Sequence, residues 1–360
     1  METIFSRRME PRYEELKQLY GEIYPGSTEA FACFCEMLKK CLFNRKASLQ
    51  IQDAQRLCGR VWSDSGSHLD SMLCVNAFAG NIKRIQQELP NYEACGVKCL
   101  RLMPLLESPA DHRDGAYAVA DFRRVKPELG TMEDLESLAD LCREKGISLC
   151  LDFPMNHTSE DHPWAKAARA GDKAARSRYF FFDNWDEPNR FEETMPQVFP
   201  KTAPGNFTWL EDCRQVVMTT FYPFQWDLNY TNPVVFNDMV ENMLFLANRG
   251  ISVIRLDALT CIWKKPGTSC RNLPQVHTLL RIMRLACEIA CPSVLLMGEG
   301  ETEPARMAAY SANAELPVRF DAPSVASAWH MISRRDCKHQ TDRISHPSRH
   351  VAAPELSALS

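Results

Sequence analysis

Apolar residues in the first part of the chain recur every three to four positions, the period of an amphipathic helix. Tyr13, Leu16, Tyr20 and Ile23 share one face, and Phe31, Phe34, Met37 and Leu38 share another. This predicts a helical domain over residues 1–70. From residue 71 the pattern changes to short apolar runs separated by amphipathic segments, the alternation of β-α units that builds a parallel sheet. Strands are predicted over residues 73–78, 97–103, 147–153, 251–256, 294–297 and 316–320.

Helix ends punctuate this alternation. One helix opens near Thr131, with Glu133 and Asp134 in its first turn and Leu135, Leu138, Leu141 and Cys142 facing inward, and closes at Gly146. Another takes Asn232 as cap and Pro233 as first helical residue and ends at Gly250. Residues 159–230 form an excursion too long for an ordinary β-α loop. They predict a subdomain over the mouth of the sheet. Its Trp164, Tyr179, Phe180, Phe181, Trp209, Phe221 and Trp226 suit either a small core or a sugar-stacking wall.

Periodicity alone leaves a barrel and an open doubly wound sheet close together. Neither a G-x-G-x-x-G nor a G-x-x-x-x-G-K-[ST] follows the first strand, so the usual phosphate cradles are missing. Polar residues instead collect where strands end: Asp152 with Asn156 and His157, Arg255 with Asp257, and Glu299. In a (β/α)8 barrel all strand ends meet at one face, where catalytic groups gather. The predicted fold is therefore an α/β barrel of the (β/α)8, or TIM, type, incomplete at six of eight strands.

Composition narrows the function classes. A net charge of −4, with basic residues scattered among acidic ones, argues against nucleic acid as a partner. The charged N-terminus METIFSRRMEPRYEELKQ lacks the apolar core of a signal peptide, and no apolar run approaches a membrane span, which predicts a cytoplasmic protein with no membrane partner. Many of the fifteen cysteines, such as Cys99, Cys150 and Cys261, lie in apolar runs and read as small buried thiols. C-x-x-C, H-E-x-x-H and C-x-x-C-H spacings are absent, so no metal and no cofactor is expected.

Cleaving a glycosidic bond with retention needs a carboxylate nucleophile and a second carboxyl as acid and then base, ~5–5.5 Å apart. Asp257 and Glu299 are the candidates, because each directly follows an apolar strand, VIRLD and LLMGE. The surrounding words add to this. LDFPMNHT, GISVIRLDAL and MGEG occur in the order of the D-x-x-x-N-H, R-x-D and acid/base segments of the α-amylase superfamily, glycoside hydrolase family 13, which the chain resembles. NAFAGNIKRI, LRLMPLLESPADHRDGAYAVADFRRVKPELGTMEDL, TTFYPFQWDLNYTNP and IWKKPGTSCRNLPQVHTLLR are similar to the amylosucrases within that superfamily.

The resemblance implies a transglucosylase that moves glucose from sucrose to an α-1,4-glucan and releases fructose. Asp257 would be its nucleophile and Glu299 its acid/base. Arg255 would keep Asp257 ionised, His157 would donate to a glucose hydroxyl, and Asp114 and Tyr117 would close the glucose pocket. Phe221 would be a subsite aromatic, and Asp152 would support His157 and its loop. Asn156 stands where many α-amylases bind calcium, yet the amylosucrase-like branch implies no metal requirement. Sucrose and an α-glucan would be the substrates.

The family's later N-Y-x-R-x-H-D-D segment, bearing a third catalytic carboxylate, has no counterpart, and residues 345–360 match nothing in the family. The expectation is a catalytic domain over residues 71–344, truncated at its C-terminal side and inactive in this form. A sucrose- or maltodextrin-hydrolysing relative, and a non-catalytic glucan binder or unstable fragment, remain as alternatives.

Overall fold

Three helices lead the chain, α1 (Glu2–Ile23), α2 (Thr28–Phe43) and α3 (Ala47–Leu57). There follow β1 (Leu69–Cys74), α4 (Ile82–Ala94), β2 (Val97–Met103), the short β3 (Leu106–Glu107) and β4 (Asp121–Val125), α5 (Met132–Glu144) and β5 (Ser148–Pro154). The excursion carries β6 (His157–Ser159), α6 (Pro163–Arg169), α7 (Lys173–Arg176), β7 (Phe181–Phe182), α8 (Asp186–Glu192), β8 (Phe207–Leu210), β9 (Gln215–Met218) and β10 (Gln225–Asp227). The chain then runs through α9 (Pro233–Asn248), β11 (Val253–Asp257), α10 (Pro274–Ala290), β12 (Leu295–Glu299) and β13 (Val318–Phe320). The structure, a computed structural model, describes residues 1–58, 69–75, 79–103, 105–109, 114–299 and 318–320.

The main sheet has the order β1-β2-β5-β11-β12-β13, every pair parallel. Spatial order follows chain order with no reversal, so the sheet lacks the switch point of a doubly wound fold and has the winding of a barrel. The six strands are those predicted from the apolar runs, with one displaced. The first was expected at residues 73–78 and lies at Leu69–Cys74, because pairing with β2, from Leu69↔Val97 to Cys74↔Met103, sets its ends. Residues 76–78 lie outside the described residues, as does the tail 345–360.

Alternation along the strands separates two faces. Leu100, Leu102, Leu149, Leu151, Ile254, Leu256 and Leu296 join the large core shared with the helices. Cys99, Cys150, Val253, Leu295 and Met297 form a separate cluster on the other face, the floor of the barrel interior.

The helix signals act through specific bonds. The Thr131 side chain accepts from the Asp134 amide at 3.2 Å, and Asp134 accepts from the Thr131 amide at 3.1 Å, a reciprocal cap for α5. Asn232 Oδ1 accepts from the Val234 amide at 3.0 Å at the start of α9. Gly250, after α9, has φ +100°, and a Cβ there would lie 2.8 Å from the Ala139 Cβ on α5. Gly250→Ala therefore combines left-handed strain with a helix-helix clash. A loss of about 2 kcal/mol is expected in urea unfolding.

The leading helices cover α9 and α10. Phe34 stacks on Phe236 at 5.8 Å and Tyr20 meets Phe236 at 6.4 Å, while Tyr13, expected on the same buried face as Tyr20, lies exposed at its edge. A buried ion pair ties α2–α3 to the sheet side of these helices: Arg45 Nε donates to Asp53 Oδ2 at 2.7 Å, Arg45 Nη1 to the Ala247 carbonyl at 3.1 Å, and Ser293 Oγ to Asp53 Oδ1 at 2.7 Å. Within the excursion, β7-β9-β8 make a small antiparallel sheet over Phe191, Met195, Phe207, Val216 and Met218. Tyr179 and Trp226 are core, meeting edge-on at 5.7 Å, whereas Phe221 and Trp209 stay partly exposed. No helix among the described residues is long and apolar enough to cross a membrane.

Candidate active site

Above the apolar floor, the same two-residue period turns charged residues toward one another. Two positions beyond Cys99, Cys150 and Val253 stand Arg101, Asp152 and Arg255, and two beyond Arg255 stands Asp257. Register places Arg255 directly beside Asp152 on neighbouring strands. Arg101 grips Asp152 with both arms, Nε to Oδ1 at 2.8 Å and Nη2 to Oδ2 at 2.6 Å. Tyr117 donates its hydroxyl to Asp152 Oδ2 at 2.9 Å, and Arg255 Nη1 lies 3.3 Å from that oxygen. The same Nη1 donates to Asp257 Oδ1 at 3.2 Å.

One carboxylate thus balances two guanidiniums, and the second guanidinium reaches Asp257. Arg255 is 3% exposed by side chain, Asp152 8% and Asp257 15%, so Asp257 is the more open carboxylate of the two. Burial opposes charge on Arg101, but the bonds and charge of Asp152 outweigh it and raise its pKa. Burial first, and then the negative Asp152 and Asp257, raise the Tyr117 pKa and keep its hydroxyl a donor. Directly after Asp257 the chain turns sharply at Ala258, φ +51°, a left-handed conformation that strains a residue bearing a Cβ.

Asp114 is engaged differently. Its carboxylate accepts from the amides of Ala116 at 2.9 Å and Ala118 at 2.6 Å and from Gln225 Nε2 at 2.7 Å, which fixes the loop that carries Tyr117. Beside Tyr117 and Asp152 lies a cavity of about 20 Å³ bounded by Leu102, Leu106, Ala116 and Leu151. His157 is 2% exposed, with its ring 5.2 Å from that of Phe221. Neither His157 nitrogen is hydrogen-bonded to another side chain among the described residues, and the Tyr117 main chain makes only a weak approach. Asn156 Oδ1 accepts from Lys264 Nζ at 2.9 Å.

Glu299 ends β12, one residue past Gly298, which pairs with Leu256, just as Asp257 follows Leu256 on β11. The two carboxylate-bearing positions therefore close adjacent parallel strands. The side chain of Glu299 lies outside the described residues.

Asp152 was expected to support His157. Its partners are Arg101, Tyr117 and Arg255 instead: Arg255 is its register neighbour on β11, Arg101 reaches it from the β2 position paired with Cys150, and Tyr117 comes from the loop between β3 and β4, while His157 has already turned into β6. Arg101, Asp227 and Lys264 were not foreseen. A signal for Arg101 existed, since it is a charged residue in the middle of an apolar strand. Asp227 and Lys264 carry no comparable mark. Among the described residues no group of three or more His, Cys, Asp or Glu is placed to hold a metal ion.

The family profile for the alpha amylase catalytic domain matches residues 49–342. The chain belongs to the α-amylase family. It is 33% identical to a trehalose synthase of Pimelobacter sp. over 252 residues, 70% of this chain and 43% of that protein. It is also 33% identical to a glucosylglycerate phosphorylase of Spirochaeta thermophila over 299 residues, 81% of this chain and 47% of that protein. The α-amylase-family chain thus spans less than half the length of these relatives. The structure of a trehalulose synthase from Pseudomonas mesoacidophila MX-45 superposes with a TM-score of 0.63 at 23% identity, covering 70% of this chain and 48% of the other, a likeness of fold.

Burial gives this α-amylase-family site an acid limit. His157 and His162, 2% and 7% exposed, have their pKa values lowered to about 4 by desolvation, so both stay neutral when folded. Between the unfolded value of 6.5 and about 4 the unfolded chain takes up protons that the folded chain refuses. Stability is therefore full above that window and falls as pH drops through it, by on the order of 3 kcal/mol for each histidine. Urea unfolding across the window should show this slope, and His162→Gln should reduce it.

Proposed function

We propose that this chain carries the glucose-holding and nucleophilic part of a retaining α-transglucosylase that takes glucose from sucrose, releases fructose and lengthens an α-1,4-glucan, as an amylosucrase does. The observation that carries the reading is the shared guanidinium of Arg255 between Asp152 and Asp257. Asp152 absorbs Arg101 and part of Arg255, which leaves Arg255 enough charge to hold Asp257 ionised while the Asp257 carboxylate stays reachable.

In this reading Asp257 attacks the anomeric carbon of the glucosyl unit as the bond to fructose breaks, forming a β-glucosyl ester. Glu299 gives a proton to the departing oxygen and later removes one from the glucan hydroxyl that takes the glucose, restoring the α linkage. Tyr117, held by Asp152 and by the Asp114 loop, offers its ring to the pyranose face. Asp114 and His157 take sugar hydroxyls, and Phe221 packs against His157 at the rim. The strand alternation that carries Leu295 and Met297 into the barrel supports the role given to Glu299.

The names of the relatives favour a second reading in which a disaccharide is rearranged, with trehalose as product. A single incubation separates the two. This chain, extended through a segment bearing the third carboxylate, is supplied with sucrose and glycogen and its products are resolved by chromatography. Fructose release with glucan growth is the expected result. Trehalose formed from a supplied glucose disaccharide, with sucrose untouched, would replace the sucrose reading, and free glucose as the main product would make the enzyme a hydrolase.

A further inference from the structure

A fully buried ion pair near the site takes no part in the chemistry above. Lys264 lies in the loop after β11, with its side chain and that of Asp227 both 0% exposed. Its Nζ is 2.6 Å from Asp227 Oδ2, 2.9 Å from Asn156 Oδ1 and 3.0 Å from Thr220 Oγ1. An ammonium has three donors, and all three are used. Asp227 is in turn bound by the Thr220 amide, at 3.0 Å, and by the Thr220 hydroxyl.

The three acceptors belong to different parts of the chain. Asn156 directly precedes His157, Asp227 pairs with His157 in the β6–β10 register, and Thr220 directly precedes Phe221, the ring against which His157 rests. Three segments that border the His157 imidazole thus converge on one nitrogen, which is joined through its own loop to the strand of Asp257. Among the described residues His157 has no side-chain hydrogen bond to orient it and Asn156 Nδ2 is buried without a partner, so the Asn156 carboxamide is held through the Lys264 bond.

We propose that the Lys264 ammonium is a built-in cation that positions His157 for a sugar hydroxyl by clamping Asn156, Asp227 and Thr220 around it. Lys264 is a positioning residue, since it touches neither the sugar nor the reacting atoms. The proposal rests on the reading of His157 as a sugar contact. A neutral side chain at 264 leaves three oxygens facing one another, one of them on an unbalanced carboxylate, and the three segments separate.

The experiment uses the 360-residue chain with histidine labelled by ¹⁵N in the imidazole, the His157 signals being assigned with His157→Gln. Glucose is the probe, its affinity measured by calorimetry. Lys264→Ala should shift the His157 resonances and weaken glucose binding about tenfold or more. Excess methylammonium, which fits the vacated space as an ammonium on a short stem, should restore both, while sodium at equal ionic strength should not. Lys264→Met/Asp227→Asn, which removes the charge and its partner together, supplies the same readings should Lys264→Ala fail to fold. His157 resonances unmoved in whichever variant folds overturn the proposal, whatever happens to affinity. A shift that methylammonium does not reverse in Lys264→Ala overturns the claim that the cation itself does the holding. Absence of glucose binding by the wild type counts against the functional reading, and the imidazole resonances then decide the clamp alone.

Discussion

In this chain extended through a segment bearing the third carboxylate, Asp257→Asn is expected to abolish glucosyl transfer for every donor, with kcat falling by on the order of 10⁴-fold or more, because no other group can form the ester. Glu299→Gln is expected to fail selectively. It keeps the nucleophile and loses the proton donor, so sucrose turnover collapses while α-glucosyl fluoride, whose leaving group needs little protonation, still glucosylates Asp257. Intact-mass measurement should then show one added glucosyl unit on Glu299→Gln and none on Asp257→Asn, with azide restoring turnover to the former. An adduct on Asp257→Asn instead would reverse the two roles. Near-normal rates in both variants would place the chemistry elsewhere.

Asp152→Ala should unfold the site from within. The substitution removes the acceptor of both Arg101 bonds and the charge beside Arg255, leaving two guanidiniums whose side chains are 13% and 3% exposed without that balance. A loss of about 3–5 kcal/mol is expected in urea unfolding, the cost of an uncompensated buried charge. Asp152→Asn should cost less, since one amide oxygen still accepts from Arg101. It should also free the Tyr117 hydroxyl and direct Arg255 more strongly to Asp257, lowering the reactivity of that carboxylate. Equal stability of Asp152→Ala and wild type would mean that the arginines find other partners and that the carboxylate is not the centre of the site.

The core of the fold was legible because it depends on local patterns. Short apolar runs, the Thr131 and Asn232 caps and the glycines at 146 and 250 each act over a few residues, and the corresponding strands and helices are present. The displaced first strand shows the limit: its apolar run extends past residue 75, but only hydrogen bonds to β2 define where pairing stops. The aromatic excursion was ambiguous for the same reason. Tyr179 and Trp226 are buried and Phe221 is not, and nothing in the spacing of those rings distinguishes them.

By itself the sequence determined where the barrel strands fall along the chain and which charged residues end them, since both follow from alternation along one segment at a time. Only the tertiary structure decided which charges meet. Arg101 and Asp152 are 51 residues apart, and Asn156 and Lys264 are 108 apart. Their contacts exist because parallel pairing sets β2, β5 and β11 side by side, which lets Arg101 reach Asp152 from the position paired with Cys150, and because the loop after β11 returns to the segment between β5 and β6. A hydrogen bond acts over about 3 Å, whereas the pattern that specifies a strand is blind to the height at which its neighbour stands. The partner of each buried charge was therefore settled by packing.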